Sequence, residues 1–92
     1  MPHAATMKRR TYAVWWQEGE SGRHAGKLEL RAFHLLLSGN GSGRLAVPLD
    51  EIVSLHYCRG ELEVERRHAA SIRIGNLDGP GALLELTDAL AA

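Results

Sequence analysis

Apolar residues in this chain recur at every second position, in one short run after another, from Tyr12 to Ile74. Only beyond Ile74 does the spacing change to three and four. A strand turns successive side chains to opposite faces, whereas a helix brings the same face round every 3.6 residues. The pattern therefore predicts a mostly β fold that ends in one C-terminal α-helix. The alternating sets are Tyr12, Val14 and Trp16; Leu28 and Leu30; Phe33, Leu35 and Leu37; Leu45, Val47 and Leu49; Val53, Leu55 and Tyr57; Leu62 and Val64; Ile72 and Ile74. Each set predicts one strand.

Turn-forming residues separate the runs. Glu18 to Gly26, with Gly19, Gly22 and Gly26 among polar residues, reads as a loop. A tight turn near Arg31 and Ala32 divides the second run from the third. Residues 39–43 read Gly-Asn-Gly-Ser-Gly, a flexible turn. Pro48 cannot donate to a ladder, which puts its strand at an edge or an end. Arg59-Gly60 is a hairpin turn, and His68, Ala69 and Ala70 form another connection. Asp78 or Gly79 can cap the helix, with Pro80 in its first turn. Leu83, Leu86 and Leu90 then lie along one helical face, with Ala82 and Ala89 beside them and Glu85 and Asp88 pointing elsewhere. Residues 1–10, which end in Lys8, Arg9 and Arg10, read as a flexible lead-in, and residues 11–92 as a single domain.

Composition narrows the function classes. At 92 residues the chain is long enough for one domain, and 45% hydrophobic residues exclude a disordered tail. Eleven basic and eleven acidic residues cancel, which argues against a dedicated nucleic-acid binder. Cys58 is the single cysteine, so no intrachain disulfide can form. No apolar run approaches the length needed to span a bilayer, and the first residues lack the apolar stretch of a signal peptide. The expected setting is the cytoplasm, peripheral to a membrane if lipid is touched at all.

Seven strands and then one helix resemble the pleckstrin-homology (PH) superfold, a bent, partly open barrel capped at one end by its last helix. The local pattern is more similar to the GRAM and bacterial PH-type branch. The segment Gly26-x-Leu28-x-Leu30-x-x-Phe33-x-Leu35-x-Leu37 resembles that branch's second and third strands. Val47-Pro48-Leu49-Asp50-Glu51-Ile52 resembles its turn, and Leu83, Leu84 and Leu86 its closing helix. The resemblance covers residues 12–91 and implies a binding or scaffolding module without catalysis. Lipid-binding members carry a basic-x-basic triplet near the first two strands. Here that position reads Lys27-Leu28-Glu29 or Glu29-Leu30-Arg31, and Glu29 would repel a phosphate.

Candidate chemistry is sparse. His3, His24, His34, His56 and His68 lack the two-to-four spacing of a compact metal site, so no metal and no cofactor is expected. Cys58 and His56, two apart on a strand, share a face and form the one nucleophile–base pair to weigh. Asp50 and Glu51 are neighbours and point apart, unsuited to joint acid–base work. The glycine-rich turn lacks the Lys and helix of a phosphate loop, and Gly79-Pro80-Gly81 lacks a basic partner for an anion. Glu61, Glu63 and Glu65 form an acidic stripe that Lys27, Arg31 and Arg73 could offset across strands. Trp16 shares the face of Tyr12 and Val14, which leaves Trp15 outside as a candidate protein anchor.

The leading expectation is a non-catalytic module that binds protein, including a second copy of itself, through sheet edges and exposed apolar residues. The alternative is weak peripheral binding to anionic phospholipid through Lys8, Arg9, Arg10, Arg23 and Lys27. A small enzyme built on Cys58 and His56 is the remote third.

Overall fold

Each alternating run becomes a strand. The computed structural model of the chain describes residues 10–39, 43–77 and 81–91. Its elements are β1 (Arg10–Glu18), β2 (Arg23–Leu30), β3 (His34–Gly39), β4 (Arg44–Pro48), β5 (Ile52–Cys58), β6 (Glu61–Arg66), β7 (Ile72–Asn76) and α1 (Ala82–Ala91). A single 3-10 turn, Leu49–Glu51, joins β4 to β5. The strands form one antiparallel sheet in the order β4-β3-β2-β1-β7-β6-β5. Every neighbouring pair is a sequential hairpin except β1 and β7, which pair from Val14↔Asn76 to Glu18↔Ile72. The sheet curls into a half-barrel. Its two edges, β4 and β5, are not paired with each other, so the barrel stays open along a seam.

One face of every strand turns inward. Val14, Leu28, Leu35, Val47, Leu62, Val64, Ile72 and Ile74 are fully buried, with Tyr12, Trp16 and Leu37 nearly so. Burying one such side chain stabilises the fold by roughly 1.5–3 kcal/mol. Helix α1 adds Leu83 and Leu86 to this core, with Ala82 and Leu90 packed at its margin, and it rests on β5, β6 and β7. Trp16 anchors the inner surface. Its indole N–H donates to the Ser38 carbonyl at 3.0 Å, and its ring stacks on His24 with centroids 4.4 Å apart. Gly26 opposes Gly39 beneath that hydrogen bond, and a Cβ at Gly26 would lie 2.0 Å from the Ser38 oxygen.

The structure corrects the sequence reading at several points. The loop expected from Glu18 to Gly26 shrinks to residues 19–22, because β1 runs to Glu18 and pairs Gln17 with Arg23. Arg10, assigned to the lead-in, opens β1 opposite Leu30. Phe33 does not join the inward set of Leu35 and Leu37; it stands in the β2–β3 turn, 76% exposed. Val53 does not share the face of Leu55 and Tyr57. A register shift between Ile52 and Ser54 inserts one residue, which turns Val53 to solvent and Ile52 inward. Leu49 belongs to the 3-10 turn and still packs against the core. The expected helix cap at Asp78, Gly79 and Pro80, the turn at residues 40–42 and the lead-in before Arg10 lie outside the described residues.

Candidate binding site at the open seam

On the β5 side of the seam lies a groove of about 590 Å³. Leu30 and Ala32 close it from the β2–β3 hairpin, Leu49 from the 3-10 turn, Ile52 and Leu55 from β5, and Leu90 from the last turn of α1. The Leu49 N–H donates to the Phe33 carbonyl at 2.9 Å, which ties the hairpin to the 3-10 turn and fixes this end of the opening. Val53 lines the groove with 48% of its surface exposed, and Phe33 stands on the adjoining turn. Arg31 is the one ionisable side chain in the lining, and its guanidinium bonds Glu29 at 3.2 Å. Such a lining accepts apolar side chains and offers no acid–base pair for a reaction.

The groove runs along the edge strand β5; the other edge, β4, contributes no residue to its lining. Among the described residues, β4 is bonded only to β3, and β5 only to β6. An edge strand carries a row of backbone donors and acceptors that can pair with another extended segment. The short β4 ends in Pro48, whereas β5 runs seven residues without a proline or a lysine.

On the outer face of the sheet, opposite charges segregate. β2 and β4 present Arg23, Lys27 and Arg44, with Arg31 just beyond β2 and Glu29 between. β6 presents Glu61, Glu63 and Glu65, against which β7 sets only Arg73. Arg73 bonds Glu61 at 3.2 Å, and Glu65 accepts the Ser54 hydroxyl at 2.7 Å. Lys27 and Arg31 do not offset the acidic stripe: β1 and β7 separate their strand from β6, and Arg31 is already turned to Glu29. The neutral total charge therefore conceals one basic and one acidic half.

The sequence-predicted residues are scattered over this frame. Trp15 is half-buried. Its ring lies across Gly75 of the neighbouring β7, and the Arg23 guanidinium sits 3.8 Å above the ring centroid. Arg23 and Lys27 stand exposed on β2, distant in sheet order from the seam edge at β5. Lys8 and Arg9 lie outside the described residues. His56 and Cys58 share the outward face of β5, exposed beside a shallow depression that Glu61, Glu63 and Arg73 also line. Asp50 and Glu51 sit in the 3-10 turn, where their carbonyls accept from the Arg67 side chain and main chain. Among the described residues, no three His, Cys, Asp or Glu gather to hold a metal, and no helix is long and apolar enough to cross a membrane.

Sequence reasoning missed the exposure of Phe33 and Val53, since both fit an inward alternation. It also missed the pair of Arg66 and Glu18, which joins the ends of β6 and β1. No local signal exists for that pair, because 48 residues separate the partners.

No family model matches the chain, and no curated protein matches it. A solved structure does: the C-terminal domain of an unknown protein from Leishmania infantum superposes with a TM-score of 0.73. The match covers 89% of this chain and 82% of that one at 18% identity, and at that identity it shows the fold alone.

Proposed function

We propose that this domain is a non-catalytic interaction module that binds protein at its open seam. The single observation that carries this reading is the apolar groove along the β5 edge, lined by the exposed Val53, with the exposed Phe33 on the adjoining turn. Exposed apolar surface next to free backbone donors is the chemistry of polypeptide recognition. The PH-like reading of the sequence supports it, because that resemblance implies a binding or scaffolding module. The exposed thiol of Cys58 fits a reducing, cytoplasmic setting. A photo-crosslinking residue tests the site. Placed at Phe33 or Val53, it should capture a protein, or a second copy of the chain; placed at the outward Ala25 of β2, it should not. Capture at Ala25 with none at the seam would refute the assignment.

The lipid alternative draws on the basic half of the outer face. Each unopposed Lys or Arg near an anionic surface contributes about 1 kcal/mol. Glu29 opposes the group, and Arg23 lies over Trp15. Sedimentation with phosphatidylserine vesicles at physiological salt should leave the protein in the supernatant.

A further inference from the structure

We infer that two copies of this chain exchange β5–β7 and α1, each set docking on the β1–β4 of the other, with Leu49–Glu51 as the hinge; this goes beyond the reading of the seam as a binding site and does not depend on it. The sheet divides at that hinge. β1–β4 pair among themselves, as do β5–β7, and α1 rests on the second set. Among the described residues, the β1–β7 ladder is the one strand pairing between the two sets. Apart from the hinge, what joins them is noncovalent: the ladder, Arg66 on Glu18, the Gly19 N–H on the Ser71 carbonyl, and the shared core. A second copy offers the same partners in the same register. An exchanged pair therefore keeps these contacts and closes as an isologous dimer.

The hinge has a second shape within easy reach. It is a 3-10 turn of three residues, and both its flanks are already extended: Pro48 at φ −60°, ψ 136° and Ile52 at φ −82°, ψ 121°. Proline holds φ near that value and biases the residue before it to extended backbone as well. Rotating Leu49, Asp50 and Glu51 into the same region turns β4, the hinge and β5 into one continuous strand. Three extended residues reach about 10 Å, too short for β5–β7 to fold back onto their own β1–β4. What holds the turn closed is local. The Ile52 N–H donates to the Leu49 carbonyl, the Leu49 N–H to the Phe33 carbonyl at 2.9 Å and the Arg67 N–H to the Glu51 carbonyl at 2.8 Å, while Leu49 packs on the core. Exchange gives these up at both hinges. In return the two straightened hinges run antiparallel past each other about the two-fold axis and pair their freed backbone groups. The ladder and core cancel between the two forms, so this local balance sets the ratio of monomer to dimer. Interconversion requires the ladder and core to open, so it is as slow as unfolding and the two forms separate by size.

Refolding the full chain from guanidinium at micromolar and at millimolar concentration tests the inference. Size exclusion should show monomer from the dilute sample and an added dimer peak from the concentrated one. The experiment is repeated with Gln17→Cys and Arg73→Cys, which face each other across β1 and β7, in a Cys58→Ser background. After oxidation of the separated fractions, the monomer should carry its disulfide within the chain. The dimer should run as a covalent dimer on a denaturing gel without reductant. Ala13→Cys with Leu77→Cys, at the other end of the same ladder, replaces a pair that fails to fold. Deleting Asp50 shortens the hinge and should raise the dimer-to-monomer ratio about tenfold, whereas inserting Gly-Ser-Gly-Ser after Asp50 lets the two sets fold back and should lower it about tenfold. If the deletion variant does not fold, the insertion decides the part played by the hinge. No dimer at millimolar concentration, a dimer whose disulfides lie within each chain, or a ratio indifferent to the insertion would each overturn the inference.

Discussion

Gly75 and Gly26 occupy two positions where any Cβ collides, and the collisions differ in kind. At Gly75 the Cβ would fall 1.9 Å from Cε2 and Nε1 of the Trp15 indole, a side chain on the outer face of the sheet that can swing away. Gly75→Ala should therefore destabilise the fold by only about 1–2 kcal/mol while releasing Trp15 from its place under Arg23. A red-shifted tryptophan emission with a retained cooperative transition is the expected result. At Gly26 the obstacle is backbone, the Ser38 carbonyl that Trp16 holds. Gly26→Ala must push β3 from β2 and break that hydrogen bond, at about 3 kcal/mol or more, and urea unfolding should report a severe loss. Arg66 shows a third kind of residue-level constraint. Its side chain is 7% exposed and bonded both to Glu18 and to the Ala70 carbonyl. Glu18→Ala leaves this guanidinium without its carboxylate, and the same measurement should show about 1–3 kcal/mol lost.

Among the elements, α1 is the one whose attachment rests on few side chains. Leu83 and Leu86 are buried, and Leu90 only partly so. Leu86→Ala should lower stability by about 2–5 kcal/mol, read as a shifted denaturant midpoint. The strands and the helix were legible in the sequence because each carries its own period: Leu62 and Val64 between glutamates can only alternate, and Leu83, Leu86 and Leu90 can only wind. What escaped was whatever depends on a neighbour distant in the chain. Arg23–Gly26 looks like a loop until β1 is known to reach Glu18 and pair with it. Val53 fits the inward series of Leu55 and Tyr57 until the bulge shifts it. The groove was invisible for the same reason, since Leu30, Leu55 and Leu90 meet only once the sheet has curled. The sequence did show both charge groups, but their segregation appears only in the strand order, which sets β1 and β7 between them.

At the scale of the molecule, the sheet is two meanders joined at two places. β1–β4 make the first, and β5–β7 with α1 the second. One join is covalent, the short turn Leu49–Glu51. The other is the β1–β7 ladder, extended at its ends by Gly19 N–H to the Ser71 carbonyl and by Leu77 N–H to the Ala13 carbonyl, and reinforced by Arg66 on Glu18. The ladder and the apolar faces behind it carry the recognition between the meanders, while the turn only holds them at high effective concentration. A chain cut at the turn should therefore reconstitute from its halves. Residues 1–49 and 50–92, expressed together, should copurify and give one cooperative melt, lower than that of the intact protein and rising with fragment concentration. The two halves of one small domain would then serve as a matched pair, able to report when two other proteins bring them together.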